Sequence, residues 1–242
     1  MTATASPELL AQLVIANKIL YDHGVVDAMG HISVRHDKNP ERYIMSRHLA
    51  PALVMEGDLV AFDLDSNPVV DIGKPYYSER FIHGEIYKAQ SAVMSVVHCH
   101  APPLIPFGVT KSGKSLKPIY HMSGFLGAGV PVFDIRSTAG MTSMLVRTPI
   151  LGAALARCIG DKPVVLMRGH GATMVGSSIA QAVYRAVYAA MNASLQMQAQ
   201  LMGEVEFLAP EEAELAAAQG DSTYHRHWAL WEKRLRDQER PR

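Results

Sequence analysis

The chain has 242 residues, 23 basic and 23 acidic side chains and 48% hydrophobic residues, a composition that predicts one globular domain over 1–242. Zero net charge leaves no electrostatic footprint for a phosphate backbone, so the expected partner is a small molecule and not nucleic acid. No apolar run reaches the ~18 residues of a membrane helix, the first ten residues lack a secretory signal, and two cysteines, Cys99 and Cys158, fit a reducing cytoplasm.

Ser6 and Pro7 read as the cap and first position of a helix whose apolar residues recur at helical spacing as far as Gly24. Short β-type pieces follow at 32–34, 43–45 and 59–62, separated by Asp, Asn, Pro and Gly. Helix is expected over 78–90. The run 92–98 reads as a buried strand stopped by Pro102-Pro103, and the Lys, Ser and Gly content of 110–118 marks an exposed loop. Further strands are expected at 130–133 and 163–167. The longest helix should begin after Gly176, where Ser178 and Gln181 have capping-box spacing, and run to about Met202. Two helical segments, 210–218 and 222–237, close the chain. Their order predicts an α/β protein of three layers, α/β/α, around a central, largely antiparallel mixed sheet.

Eleven histidines stand out, and their placement is uneven. His98 and His100 lie two positions apart at a strand end, so both imidazoles project from one face with Cys99 on the other. Such a pair chelates a metal, although two hydrogen-bonded interior histidines look the same in a sequence. His170, flanked by Gly169 and Gly171 directly after a strand, is a third candidate. Three imidazoles with an open position are the pattern of a catalytic divalent site.

Together with Gly30-His31-Ile32-Ser33-Val34-Arg35 and the helix carrying Ser78, Glu79, His83 and Tyr87, these motifs resemble the class II aldolase/adducin family over nearly the whole chain. The resemblance implies that His98, His100 and His170 bind one divalent ion per subunit (zinc, manganese, iron or cobalt). It implies that Glu79 is the acid/base residue, with His31 and His83 as the other expected catalytic groups. It also implies a homotetramer with active sites near subunit boundaries, where Tyr224, His225, His227, Trp228 and Trp231 of the terminal helix either pack internally or cover a neighbour's site.

Departures from the aldolase pattern point to the substrate. Sugar-phosphate aldolases of the family usually have Asn in place of His31, and small residues in place of Ser46-Arg47-His48 and Tyr77. A phosphate cradle needs backbone N–H groups and space, which Tyr77 and Arg47 would fill. Arg47 offers instead a planar fork for a carboxylate. The segment Met45 to Pro51 resembles the branch of the family that decarboxylates hydroxylated aromatic or pyridine carboxylates. The expected function is therefore a metal-dependent decarboxylase of a hydroxylated aromatic, heteroaromatic or ring-cleaved polycarboxylate, with Arg47, Ser46, Tyr77, Ser78 and His121 binding the substrate. The alternatives are an aldolase acting on a non-phosphorylated hydroxy-keto acid or sugar, and a non-catalytic adducin-like interaction module. Retention of the three histidines and Glu79 weighs against the module.

Overall fold

The computed structural model describes residues 5–111 and 115–238; the centre of the loop expected at 110–118, and the first residues of the segment tested for a secretory signal, lie outside the described residues. Strands β1 (His31–Arg35), β2 (Arg42–Ser46), β3 (Leu59–Asp63), β4 (Ser95–Cys99), β5 (Val132–Phe133), β6 (Val164–Met167) and β7 (Gly171–Gly176) form one sheet in the order β3-β2-β1-β4-β7-β6-β5. Every neighbouring pair is antiparallel except β5 with β6. The mixed, largely antiparallel sheet is thus as expected.

The helices are α1 (Pro7–Asp22), α2 (Phe81–Ala89), α3 (Ile105–Val109), α4 (Arg136–Ala139), α5 (Pro149–Ile159), α6 (Ile179–Met202) and α7 (Pro210–Gln238). Strand alternation sorts the core into two sets. On one face Ile32, Val34, Ile44, Val97 and Cys99 pack with residues of α1 and α6. On the other, Tyr43, Met45, Val96 and Val165 pack with Ile82 and Ile86 of α2 and Leu151 and Leu155 of α5. Helices therefore cover both faces, which makes the three layers. Among the described residues no helix is long and apolar enough to cross a membrane.

Several elements differ from expectation. Helix α2 begins at Phe81 and not at Ser78, because residues 77–80 form a turn closed by Arg80 N–H to Tyr77 C=O at 3.4 Å. Helix α5 is an addition to the expected elements: Thr148 caps the Leu151 N–H and Pro149 occupies the first turn. Strand β7 is bounded by two glycines that hide its period, and it forms because β4 and β6 pair with both its edges. The two terminal segments are one 29-residue helix, α7, tied to α6 where Gln181 Nε2 donates to Asp221 at 2.7 Å. The stretch after Pro118 is a kinked 3-10 helix, His121–Ala128. It is anchored from α6, where the buried Asn192 amide accepts from Ile119 N–H and from the Ser123 hydroxyl.

Candidate functional site

The site lies where β4, the β6–β7 turn and the approach to α2 meet. Val97 and Cys99 turn toward α6, so alternation sends His98, like Val96, to the α2 side of the sheet. His98 lies opposite His31 on β1 and Thr173 on β7. His170 reaches the same place through a turn that only glycines allow. Gly169 has φ +64°, and a Cβ on Gly171 would lie 2.1 Å from the Cys99 carbonyl oxygen. One potential ligand atom from each of Glu79, His98, His100 and His170 falls within 4.8 Å of all the others.

The hydrogen bonding of this cluster fits a cation. His98 Nδ1 lies 3.1 Å from the Ala172 carbonyl oxygen, which can only accept, so Nδ1 carries the proton and Nε2 presents a lone pair. That lone pair faces His100 Nε2 at 3.1 Å and Glu79 Oε2 at 3.7 Å. Both nitrogens of His170 are buried without a hydrogen bond, and Nε2 lies 3.5 Å from Glu79 Oε2. Converging lone pairs, a carboxylate and an unbonded buried imidazole repel one another unless a positive centre joins them. Three imidazoles and one carboxylate suit zinc, manganese, iron or cobalt, and the donor set alone does not select among them.

Burial opposes charge on Glu79, but His170, His98 and the Val146 N–H, which donates to Oε1 at 2.8 Å, outweigh it and hold the carboxyl at about 2. Glu79 is therefore an ionised carboxylate at neutral pH. It stands in the turn before α2, outside the helix. Burial keeps His98 and His31 well below the ordinary imidazole range and lowers His100 as well. These rings are neutral, as ligands and hydrogen-bonding imidazoles must be.

Beside the cluster stands a wall of side chains from β1, β2 and α2. The His31 ring centroid is 5.0 Å from that of His98 and 4.6 Å from that of Tyr77. Tyr77 is 5% exposed, and its hydroxyl donates to the Leu49 carbonyl. Ser46 Oγ is buried near that hydroxyl without a hydrogen-bond partner. His83 is fully buried and touches the site through His31, with Nε2 2.7 Å from His31 Nδ1. Arg47 donates from Nε to Asp58 at 2.7 Å, and its recorded bonds do not reach the histidines. Ser78 is exposed.

His121 is exposed, and its recorded ring contact is with Tyr120, centroids 6.1 Å apart. Within this chain it is not brought to the cluster. Of the terminal aromatics, Tyr224 and Trp231 are buried, His227 Nδ1 meets the Tyr188 hydroxyl at 3.1 Å, Trp231 meets His23 edge-on, and His225 is exposed. Ser33 and Tyr87 join the site without having been assigned a role. Ser33 had one usable signal, its place two residues from His31 on the same strand face. The Val146 N–H, a backbone group distant in sequence, had none.

Comparison with known proteins agrees with this geometry. The model of the class II aldolase and adducin N-terminal domain matches residues 11–197, and the chain belongs to that family. It is 45% identical over 179 residues to the decarboxylase tropJ of Talaromyces stipitatus, a match covering 69% of this chain and 66%, just under two thirds, of that protein. It is 30% identical over 186 residues to the 3,4-dihydroxyphthalate decarboxylase of Arthrobacter keyseri, covering 71% of this chain and 70% of the relative. In fold it is similar to an aldolase II superfamily protein from Pseudomonas syringae, with TM-score 0.80, 23% identity and 97% and 96% of the two chains covered. The L-fuculose 1-phosphate aldolase of Glaciozyma antarctica gives TM-score 0.79 at 20% identity, covering 100% of this chain and 96% of that one.

Proposed function

We propose that this protein is a divalent-metal-dependent decarboxylase of a hydroxylated aromatic dicarboxylate. The observation that carries the reading is the buried wall of Tyr77 and His31 against the Glu79–His98–His100–His170 cluster. A rigid aromatic and an imidazole stand beside the ligands, where a phosphate would need open space and backbone donors. Two relatives that bear the name decarboxylase support the same choice.

His98, His100 and His170 would hold the ion, with the Glu79 carboxylate beside them. When bound, a divalent ion supplies a Lewis acid that stabilises negative charge on substrate oxygens. The remaining chemistry belongs to the chain. Glu79, ionised and steadied at Oε1 by the Val146 N–H, accepts the proton of the hydroxyl ortho to the carboxylate that is lost. It returns that proton to the ring carbon as the carbon–carbon bond breaks and carbon dioxide leaves. The product phenolate is then reprotonated from water, so protons and charge balance. His31 donates a hydrogen bond to a substrate oxygen, and Tyr77 packs against the ring. The Nη groups of Arg47, left over from its Asp58 contact, bind the carboxylate that is retained.

Metal-loaded protein incubated with 3,4-dihydroxyphthalate and other ortho-hydroxy aromatic dicarboxylates should release carbon dioxide and a monocarboxylate product. Aldehyde products from hydroxy-keto acids, with no carbon dioxide from any aromatic acid, would overturn the reading in favour of an aldolase. A Glu79→Gln variant should fold and keep the shape of the site while kcat falls by about 10²- to 10⁴-fold, the usual contribution of a positioned proton carrier. Near-normal turnover would transfer the proton step to another residue.

Arg47 has its own test. Because a lysine cannot reproduce the planar fork, Arg47→Lys should raise KM for the dicarboxylate on the order of 10-fold, with a larger rise for Arg47→Ala. Wild type should prefer the dicarboxylate to an analogue lacking the retained carboxylate, and Arg47→Ala should discriminate much less. Equal preference in both proteins would leave Arg47 as the structural partner of Asp58 alone.

A further inference from the structure

Behind His31 runs a buried chain of hydrogen bonds. The Tyr87 hydroxyl meets Ser33 Oγ at 2.7 Å, Ser33 Oγ meets His83 Nδ1 at 2.6 Å, and His83 Nε2 meets His31 Nδ1 at 2.7 Å. Ser33 and His83 have no exposed surface, Tyr87 has 1% and His31 has 3%, so the chain opens only at its His31 end. Burial holds His83 down at about 3, which leaves it neutral at physiological pH.

A count of hydrogens decides the direction of the chain. Tyr87, Ser33, neutral His83 and neutral His31 carry one exchangeable hydrogen each, four in all, while the three links consume three. The surplus must leave the chain somewhere. Tyr87 has no recorded acceptor other than Ser33, and a buried hydroxyl hydrogen without an acceptor costs about 1–3 kcal/mol. At Ser33 the position is the same, since its recorded side-chain partners are Tyr87 and His83. The Nε2 edge of His31, the most exposed of the four residues, is left to carry it.

We propose that Ser33, backed by Tyr87, is a positioning residue that acts through His83 to make His31 a neutral hydrogen-bond donor, with Nε2–H turned toward the substrate side of the metal centre. Tyr87 donates to Ser33, Ser33 donates to His83 Nδ1, and His83 Nε2–H donates to His31 Nδ1. His31 thereby cannot act as an acceptor at the reacting end, which suits a site that must bind the oxygens of an anionic substrate. The direction of the chain stands on the buried hydrogen-bond geometry together with the neutrality of His31 and His83, while its use in turnover rests on the decarboxylase reading.

Nitrogen-15 labelling of histidine and long-range proton–nitrogen NMR correlation on the purified full-length protein test it. The expected signature is one slowly exchanging imidazole proton on His83 Nε2, with His31 protonated at Nε2. In Ser33→Ala that proton should exchange with deuterium at least about 10-fold faster, and kcat on 3,4-dihydroxyphthalate should fall about 10-fold while KM stays within about 3-fold. Ser33→Thr, which keeps the hydroxyl on a β-branched side chain suited to a strand, should restore both readouts. If Ser33→Ala does not fold, wild type and Ser33→Thr still decide the matter through the site of protonation. A proton on His31 Nδ1 in wild type, or unchanged exchange in a folded Ser33→Ala, overturns the proposal. Absence of turnover on every aromatic acid counts separately, against the decarboxylase reading, because the NMR signature needs no substrate.

Discussion

A His98→Ala variant is expected to purify without a divalent ion and without turnover. His98 is fully buried at the centre of the cluster and its orientation is set by the Ala172 carbonyl, so the substitution removes a ligand that is held in place. Removing an outer partner of a metal-binding histidine typically costs about 10- to 100-fold in affinity, and removing the ligand itself should cost more. The check is elemental analysis of the variant after dialysis against a divalent ion, beside near-ultraviolet circular dichroism to show that the fold survives. Deleting a buried ring also leaves a cavity, which is itself destabilising. His100→Ala is therefore the companion variant, since His100 is partly exposed and its loss disturbs the core less. Stoichiometric metal at the same place in either folded variant would remove these histidines from the ligand set.

Stability should fall steeply as the pH drops from neutrality. Burial lowers His31, His83 and His98 in the folded state, so the native protein stays unprotonated at these rings while the unfolded chain takes up protons below about pH 6.5. A group whose folded value is depressed in this way favours unfolding progressively as pH falls from its unfolded value toward its folded one. Three such rings contribute about 1.4 kcal/mol each per pH unit once the unfolded state is protonated, or about 4 kcal/mol between pH 7.5 and 5.5. That is a large part of the stability of an ordinary domain. Glu79 adds in the same direction further down, since stability it contributes above about pH 4.5 is lost as the pH falls toward 2. Urea unfolding midpoints at pH 7.5, 6.5 and 5.5 measure the effect. A bound ion should steepen it, because its ligands must remain unprotonated. A midpoint unchanged from pH 7.5 to 5.5 would mean that these histidines are solvated or already charged.

Much of the site was legible as pattern. The pair His98 and His100 carries its own geometry, since two residues apart on a strand means one face. The glycines around His170 announce a close approach of backbones, and the structure shows the Cys99 carbonyl that requires it. Tyr77 was expected to occupy space, and it does so against His31. Less legible was the environment of Glu79. A carboxylate near the start of a predicted helix looks like a solvated first-turn residue, whereas here it is buried and held by an N–H from Val146, far along the chain. His121, expected at the substrate, is exposed within this chain and its ring meets Tyr120.

The amino-acid sequence by itself determined the layered α/β class and singled out the three histidines His98, His100 and His170 as candidate ligands, because periodicity, strand-end spacing and glycine placement are local properties. Only the tertiary structure decided the rest. Strand β7 exists because two neighbours pair with it, α7 runs unbroken because α6 binds its middle, and Glu79 stays ionised because buried partners outweigh its desolvation. The chain from Tyr87 through Ser33 and His83 to His31 is of the same kind. Its members come from one strand and one helix separated by about fifty residues, and the direction of a buried hydrogen bond depends on which partners are absent as much as on which are present.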